Sequence, residues 1–258
     1  MVGASKKNAM RFQGQIAVVT GSATGLGEGI ARRLAIEGAA VALLDRDALR
    51  VQATAAALQR EGLQATGYET DVANEDSVKK ALDQVSREMG PLDIMVNCAG
   101  IVGPTNTKIL DYPVEEFDRV CSINLRGSFL MTKYSLPFML ERKYGRILLI
   151  ASMSGKEGNP FMAGYTCSKA GVIGLVKGIA KEYPTSGVAI NGLAPAVVMT
   201  DLVRGCAPEQ VAYMTAKIPM ARCGTIEEVA AMSAWIVSPE CSVSTGFIFD
   251  LSGGRATY

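Results

Sequence analysis

Histidine is absent from this chain of 258 residues. Any proton transfer that the protein performs must therefore use tyrosine, lysine, a carboxyl group, cysteine or a bound metal. The six cysteines include no Cys-x-x-Cys pair, so a zinc site is disfavoured and we expect no metal. The sequence also lacks a Gly-x-Ser-x-Gly elbow, which together with the missing histidine disfavours a serine hydrolase.

Long hydrophobic runs and an excess of charge are missing as well. No stretch approaches the roughly 18 uninterrupted apolar residues that a membrane-spanning helix needs. Lys6 and Lys7 are followed by no apolar run, so we expect no secretion signal. With 26 basic and 25 acidic residues the formal charge is +1, which predicts neither a nucleic-acid partner nor a membrane partner. We therefore expect a soluble, cytoplasmic protein whose thiols are reduced and mostly buried.

Short apolar runs alternate with helical patterns along the whole chain. This alternation predicts an α/β fold: a single Rossmann-type, doubly wound domain over residues 1–258, with a seven-stranded, mostly parallel sheet and helices on both faces. Residues 1–12 are polar and are expected to form a flexible tail. The predicted strands are 16–20, 40–44, 65–70, 92–96, 146–151, 188–193 and 246–250. After a first helix that carries Ile30 and Leu34, the predicted helices are 47–60, 74–89, 111–122, 124–141, 162–182, 208–217 and 226–238.

A glycine-rich segment, Gly21 to Gly27, connects the first predicted strand to the first helix. Glycines allow the backbone to turn sharply and to approach a pyrophosphate closely. The free N–H groups and the positive dipole end of the helix N-terminus then attract that charge. Strand, glycine-rich turn and helix in this order predict a nucleotide site.

Asp45 ends the second predicted strand, about 20 residues beyond the glycines, where a carboxylate binds the adenosine ribose hydroxyls. The same charge would repel the 2′-phosphate of NADP, whereas the neighbouring Arg46 is able to pair with it. We favour NAD over NADP on this balance. The alternative role for Asp45 is the N-cap of the following helix, and both roles can coexist.

Tyr165 and Lys169 are four positions apart, which places them on one face of a helix. A free phenol has a pKa of about 10 and is a poor base near neutrality. A nearby ammonium group favours the phenolate and lowers that pKa, so the phenol can exchange a proton with a substrate oxygen. The spacing alone is common on ordinary helices and gains its meaning from the nucleotide-binding pattern upstream.

These features together resemble the short-chain dehydrogenase/reductase family over nearly the whole chain. The matching motifs are Thr20-Gly-x-x-x-Gly-x-Gly27, Asp71-Val72, Asn97-Cys98-Ala99-Gly100, and Asn124 with Ser152, Tyr165 and Lys169. Two positions depart from the family pattern: Cys98 replaces an asparagine, and Ala196 after Pro195 replaces a glycine. The methyl group of Ala196 restricts the backbone where glycine would allow a positive φ.

The resemblance implies reversible hydride transfer between a secondary alcohol and NAD, with Asn124, Ser152, Tyr165 and Lys169 as the catalytic residues. Tyr165 is then the general base for oxidation and the acid for reduction. Lys169 also holds the nicotinamide ribose, Ser152 donates to the substrate oxygen, and Asn124 holds a water that links Lys169 to solvent. The implied cofactor-binding residues are Gly21, Ser22, Thr24, Gly25, Leu26, Gly27, Asp45, Arg46, Asp71, Val72, Asn97, Ala99, Gly100, Tyr165, Lys169, Pro195, Val198 and Thr200.

The loop after Ser152 lines the substrate pocket in this family. Its side chains Ser154, Glu157 and Asn159 suit a hydroxylated substrate better than a fatty chain, so we expect a sugar acid, such as a 2-keto-3-deoxy sugar acid, or a polyol. Residues 199–220 are expected to form a mobile lid over that pocket. Family members are often homotetramers, and we expect one here, with Arg255 of the C-terminal tail approaching a neighbour's active site to clamp a substrate carboxylate.

Two other functions remain open on the sequence alone. One is an NADP-dependent 3-oxoacyl thioester reductase of the same family, which Asp45 disfavours. The other is a catalytically silent nucleotide-binding protein, which the intact set Asn124, Ser152, Tyr165 and Lys169 disfavours.

Overall fold

A single seven-stranded sheet forms the centre of the protein. The structure, a computed structural model, describes residues 10–205, 207–256 and 258. All the strand pairs are parallel, and the strands lie in the order β3-β2-β1-β4-β5-β6-β7. The strands are β1 (Ile16–Thr20), β2 (Ala40–Asp45), β3 (Ala65–Glu69), β4 (Ile94–Asn97), β5 (Gly145–Ile150), β6 (Val188–Pro195) and β7 (Ile248–Leu251). The predicted doubly wound sheet is confirmed, and it is parallel throughout rather than mostly parallel.

The strand order reverses between β1 and β4. The chain moves outward from β1 to β3 and then crosses back to the other side of β1. Every residue of β1, β4, β5 and β6 is buried, which explains why these strands are continuous apolar runs rather than alternating ones. A crevice opens beyond the carboxyl ends of the strands at such a reversal, and ligands bind there in open α/β sheets.

Helices cover both faces of the sheet. They are α1 (Gly25–Ile36), α2 (Ala48–Arg60), α3 (Glu75–Met89), α4 (Val114–Cys121), α5 (Gly127–Arg142), α6 (Met153–Glu157), α7 (Ala163–Ile179), α8 (Asp201–Arg204), α9 (Pro208–Thr215) and α10 (Ile226–Ile236). A 3₁₀ turn spans Ile109–Asp111, and a π-helical turn, Ser122–Arg126, joins α4 to α5. The two predicted helices on either side of residue 123 are therefore one continuous helical rod, which runs past Pro137 to Arg142.

Two apolar cores lie on opposite faces of the sheet. Residues of α3, α5 and α7 fill one core, and residues of α1, α2 and α10 fill the other. Phe12 is fully buried in the second core, and its amide donates to the Glu37 carbonyl at 3.0 Å. The predicted flexible tail is therefore wrong at its end, because Arg11 and Phe12 are anchored, while residues 1–9 lie outside the described part of the chain.

Side-chain caps mark the starts of α2, α3, α6 and α10. Asn74 caps α3 as the sequence predicts, accepting a hydrogen bond from the Ser77 amide at 2.9 Å. The cap of α2 is Asp47, which accepts from the Arg50 amide at 3.0 Å, so the alternative role of Asp45 as that cap is wrong. Asp45 is thereby free to act at the crevice. None of the helices in the described residues has the length and apolar character that crossing a membrane requires.

Candidate active site

The glycine-rich turn after β1 is shaped by positions that tolerate only glycine. Gly21 and Gly25 have φ angles of +63° and +64°, in the left-handed region that disfavours other residues. A Cβ atom on Gly27 would lie 2.1 Å from the Gly21 carbonyl oxygen, so the first turn of α1 packs directly on the loop. Thr24, the N-cap of α1, makes no side-chain cap. The first N–H groups of α1 are thus available to an anion, and the turn fits a dinucleotide pyrophosphate.

Ser22 does not face this crevice. Its side chain is fully buried, and its hydroxyl donates to the Val19 carbonyl at 2.9 Å. The Ser22 hydroxyl is therefore used to fold the loop, and the contact of Ser22 with the cofactor stays a prediction.

Asp45, at the carboxyl end of β2, reaches back to the same turn. Its carboxylate accepts hydrogen bonds from the amides of Ala23 and Asp47, both at 3.1 Å. Arg46 beside it is exposed. A negative charge held within hydrogen-bonding distance of the glycine loop can accept ribose hydroxyls and repels a phosphate group there.

A chain of buried hydrogen bonds runs from this turn to the middle of the sheet. Thr20 Oγ1 donates to Asn97 Oδ1 at 2.7 Å and accepts from the amides of Cys98 and Ala99 at 3.1 Å. Asn97 Nδ2 donates to Ser128 Oγ at 2.9 Å, and Ser128 Oγ donates to the Asn124 carbonyl at 2.6 Å. Asn97 is 2% exposed, so its amide is occupied within the protein rather than offered to a ligand. The Asn97 side chain therefore lies at the site but stabilises the ends of β1 and β4.

Asn124 lies in the π-helical turn and is fully buried. Its Oδ1 accepts from the Ile101 amide at 2.8 Å, and its Nδ2 donates to the Ile101 carbonyl at 2.9 Å and to Ser168 Oγ at 3.0 Å. Ser168 Oγ in turn donates to the Tyr165 carbonyl at 2.8 Å. The π turn, an arrangement common at functional sites, thus ties the loop after β4 to the helix that carries Tyr165.

Tyr165 and Lys169 lie one turn apart on α7, as predicted, with the Lys169 ammonium 5.8 Å from the centre of the Tyr165 ring. Lys169 is 5% exposed and donates to the Ile150 carbonyl at 2.7 Å. Burial lowers the pKa of Lys169 to about 8, while the nearby Cys98 thiol opposes this shift. A lysine in this state changes its charge in the range where many enzymes operate.

The pKa of Tyr165 is raised by burial, and a hydrogen bond with Ser152 acts against this rise. The expected lowering of this pKa by Lys169 is therefore wrong, because burial is the largest influence on the phenol and raises its pKa. Ser152 also caps α6, since its Oγ accepts from the Ser154 amide at 3.1 Å. Ser152 thus combines the strand-end cap with contact to the phenol, and a protonated phenol beside it is a competent hydrogen-bond donor to a substrate oxygen.

A cavity of about 660 Å³ opens at these residues. Ser152, Tyr165 and Lys169 form part of its wall, and Phe161 lies at its edge with a φ of +65°, which is rare for a bulky residue. The predicted cofactor residues that line it are Leu26, Gly100, Tyr165, Lys169, Pro195, Val198 and Thr200. The lid segment contributes Val203, Tyr213, Met214 and Lys217.

The other predicted cofactor residues lie around the cavity rather than in its wall. Asp71 follows β3, where its Oδ1 accepts from the Ala73 amide at 2.9 Å, and it is exposed. Val72 is buried and packs against Gly127 so closely that a Cβ atom at Gly127 would lie 2.9 Å from the Val72 side chain. Ala99 follows β4 and is half-buried.

Three of the four predicted substrate residues line the cavity: Ser154, Asn159 and Arg255. Glu157 does not, because its carboxylate accepts from Arg255 Nε at 2.7 Å. Arg255 Nη2 also donates to Asn159 Oδ1 at 3.1 Å. Arg255 therefore lines the cavity of its own chain, and its approach to a neighbour's site stays a prediction. Ser154 is 2% exposed, and its hydroxyl is shared with Thr166 at 2.9 Å, which leaves it little freedom to bind a substrate.

Sequence reasoning missed Ser128, Ser168 and Lys217. Ser128 is four residues beyond Asn124 and Ser168 is three beyond Tyr165, so helical spacing from the chosen residues was a signal that pointed to both. Lys217 falls within the expected lid, residues 199–220, but no local sequence pattern distinguishes it from its neighbours.

Known proteins match this chain over most of its length. The family model for short chain dehydrogenases matches residues 15–211. A 2-dehydro-3-deoxy-L-rhamnonate dehydrogenase (NAD(+)) from Sphingomonas sp. (strain SKA58) is 43% identical over 248 residues, which cover 96% of this chain and 98% of that protein. A 3-oxoacyl-[acyl-carrier-protein] reductase from Escherichia coli (strain K12) is 33% identical, and the match covers 95% of this chain and 98% of that protein.

A solved structure agrees with these sequence matches. The crystal structure of NAD+-bound xylitol dehydrogenase superposes with a TM-score of 0.90 at 32% identity, over 94% of this chain and 99% of that one. The resemblance drawn from the glycine turn, Asn124, Ser152, Tyr165 and Lys169 is thereby confirmed. This protein is a member of the short-chain dehydrogenase family, an oxidoreductase with its cavity at the carboxyl ends of a doubly wound sheet.

Proposed function

We propose that the protein oxidises a secondary hydroxyl group of a sugar acid to a ketone with NAD, and catalyses the reverse reduction. The observation that carries this proposal is the single cavity wall that holds Tyr165, Ser152 and Lys169 together with the basic side chain of Arg255. The relative from Sphingomonas, whose name specifies a deoxy sugar acid and NAD(+), supports both the substrate class and the cofactor.

The cofactor supplies the hydride acceptor when it is bound. The glycine turn and the N-terminus of α1 would hold its pyrophosphate, and Asp45 would accept the ribose hydroxyls. The carboxylate at that position supports NAD over NADP, because a 2′-phosphate would approach it at close range. Lys169, buried beside Tyr165, would contact the nicotinamide ribose.

Tyr165 is the proposed proton-transfer group. In oxidation Tyr165 would accept the proton of the alcohol O–H group as the alcohol carbon gives up its hydride to the bound cofactor and becomes a carbonyl carbon. Ser152 would hold the substrate oxygen by a hydrogen bond, and Lys169 would pass the proton toward solvent through a water held at Asn124. Because burial raises the pKa of Tyr165, the phenol stays protonated and is suited to donate a proton in reduction. Oxidation needs the phenolate, which forms at higher pH or beside a positive charge.

The substrate is the finer part of the proposal. Asn159 and Arg255 offer a polar end to the cavity, with Arg255 fixed in place by its ion pair with Glu157. A guanidinium group recognises a carboxylate with directed hydrogen bonds. A sugar acid presents that carboxylate and a secondary hydroxyl on one small molecule, whereas a polyol presents only hydroxyls.

Initial-rate assays test this proposal. The purified protein is given 2-dehydro-3-deoxy-L-rhamnonate or xylitol with NAD or NADP, and acetoacetyl coenzyme A with NADH or NADPH. We expect the highest kcat/KM for the sugar acid with NAD. Preference for the thioester with NADPH would contradict the proposal in favour of a 3-oxoacyl reductase. Tight NAD binding without turnover of any of these compounds would favour a silent nucleotide-binding protein.

We also propose that the protein assembles as a homotetramer. Two phenylalanines on the α4–α5 rod, Phe117 and Phe129, remain 36% and 43% exposed, and Trp235 on α10 is 39% exposed. Partly exposed aromatic side chains on two separate surfaces are consistent with two kinds of symmetric contact. Sedimentation equilibrium at a monomer mass of 27.3 kDa would contradict this assembly.

A further inference from the structure

Two basic side chains, Lys217 and Arg255, enter the large cavity from segments that are far apart in the sequence. A junction between the lid and the C-terminal segment brings them together. The Met220 amide donates to the Gly253 carbonyl at 3.1 Å, and a Cβ on Gly253 would lie 2.7 Å from the Ile218 side chain. Lys217 directly precedes this junction on one segment, and Arg255 follows it by two residues on the other. Their positive charges therefore share one rim of the cavity.

The two cations differ in how their charges are balanced. The Arg255 side chain is 10% exposed, and its Nε and Nη2 are occupied by Glu157 and Asn159. Lys217 is exposed, and in the part of the chain that the structure describes no carboxylate lies within 4.0 Å of its ammonium group. That ammonium lies instead 4.9 Å from the centre of the Tyr213 ring, on the cavity side of α9. An unbalanced positive charge is thus held at the cavity by Tyr213, an aromatic side chain of α9, the helix that ends two residues before Lys217.

We propose that Lys217 binds the carboxylate of an acidic substrate together with Arg255, and that it sets the preference for sugar acids over uncharged polyols. This inference rests on the proposed function. Arg255, whose orientation is fixed by Glu157, offers its Nη1, and Lys217 offers three rotatable donors and a full charge. Lys169 does not serve this purpose, because it is buried and donates to the Ile150 carbonyl.

The location of Lys217 on the lid segment gives the contact a further consequence. Lys217 already lines the cavity, so a substrate carboxylate bound to it would hold segment 199–220 against the substrate. An uncharged polyol of the same size lacks this contact. The discrimination should therefore show in KM more than in kcat, because the contact lies away from the reacting carbon.

A matched pair of substrates tests the proposal: 2-dehydro-3-deoxy-L-rhamnonate and its carboxamide, which differ in charge but hardly in shape. The measured quantity is the ratio of kcat/KM for the acid to that for the amide. We expect Lys217→Ala to lower this ratio about tenfold, which corresponds to about 1.4 kcal/mol. The loss should come from a higher KM for the acid. Lys217→Arg should restore most of the ratio, because it returns the positive charge.

Lys80→Ala is the control, since Lys80 is an exposed lysine on α3 outside the cavity wall. It should leave the ratio as in the wild type. The KM for the acid should also rise with added salt in the wild type and change less in Lys217→Ala, because salt screens this attraction.

The outcomes separate this inference from the proposed function. Wild-type turnover of the acid with NAD, combined with an unchanged ratio in Lys217→Ala, would overturn the role of Lys217 and leave the proposed function intact. A wild-type enzyme that turns over neither the acid nor the amide would overturn both.

Discussion

Replacing Lys169 with methionine should stabilise the protein without cofactor while it removes the activity. Lys169 is 5% exposed, and burial lowers its pKa from 10.5 to about 8. Each pKa unit corresponds to about 1.4 kcal/mol, so the charged lysine costs roughly 3 kcal/mol in the folded state at pH 7. Methionine has a similar length and no charge, and it forfeits the hydrogen bond to the Ile150 carbonyl.

The expected net effect follows from these two contributions. Loss of a buried hydrogen bond, with its carbonyl left unsatisfied, costs about 1 to 3 kcal/mol. The variant should thus be more stable than the wild type by about 1 kcal/mol at pH 7, or roughly 2 to 4 °C in Tm for a protein of this size. Functional residues that reduce stability in this way are expected at active sites.

The pH dependence is the more decisive part of this prediction. The folded pKa of Lys169 is below its unfolded value. The free-energy cost of burying its charge is therefore fully present below pH 8 and disappears as the pH rises to about 10.5. The stability difference between Lys169→Met and the wild type should therefore shrink by roughly 3 kcal/mol over this range and change sign. Urea unfolding at pH 7, 8, 9 and 10 measures it, with Lys80→Met as the exposed control. A variant that is less stable at pH 7, with a difference independent of pH, would refute the reasoning.

Three further predictions concern the cofactor side of the site. Asp45→Ser should reduce the preference for NAD over NADP by at least tenfold in kcat/KM, because it removes the repelling charge; an unchanged preference would exclude Asp45 from this role. Gly27→Ala should abolish NAD binding or folding, because the new Cβ atom would collide with the glycine-rich turn. Gly174→Ala is the matched control: its Cβ atom would meet open space, so it should add up to about 1 kcal/mol of stability in thermal unfolding. Ser128→Ala should destabilise by about 1 to 3 kcal/mol in urea, because it leaves Asn97 Nδ2 unpaired; a change below 0.5 kcal/mol would remove Ser128 from the network.

The strands of this fold were predictable from the sequence because their signal is local. Buried parallel strands are continuous apolar runs, and β1, β2 and β6 begin at the residues predicted for them. Asn74 identified the start of α3 for the same reason, since a cap acts within three residues. The motifs then indicated which strand ends meet at the crevice.

The missed features depend on contacts between distant segments or on very short elements. Nothing in the sequence around Asn124 signals a π turn, because its stabilising partners are Ile101 and Ser168. The five-residue helix α6 has too few residues for a periodic pattern. The position of Arg255 in its own cavity depends on Glu157, 98 residues away. Tertiary structure, rather than local preference, decides such positions.

Proton transfer by Tyr165 next to a bound dinucleotide is the central claim, and a comparison of Tyr165→Phe with the wild type tests it most directly. The measurement is NAD affinity by isothermal titration, together with kcat for the sugar acid from pH 6 to 10. Because burial raises the pKa of Tyr165, wild-type oxidation should increase with pH as the phenolate forms. The variant should keep its NAD affinity within about threefold and lose at least a thousandfold in kcat, which corresponds to about 4 kcal/mol. Retention of more than a tenth of the wild-type kcat, with the same pH dependence, would contradict the account.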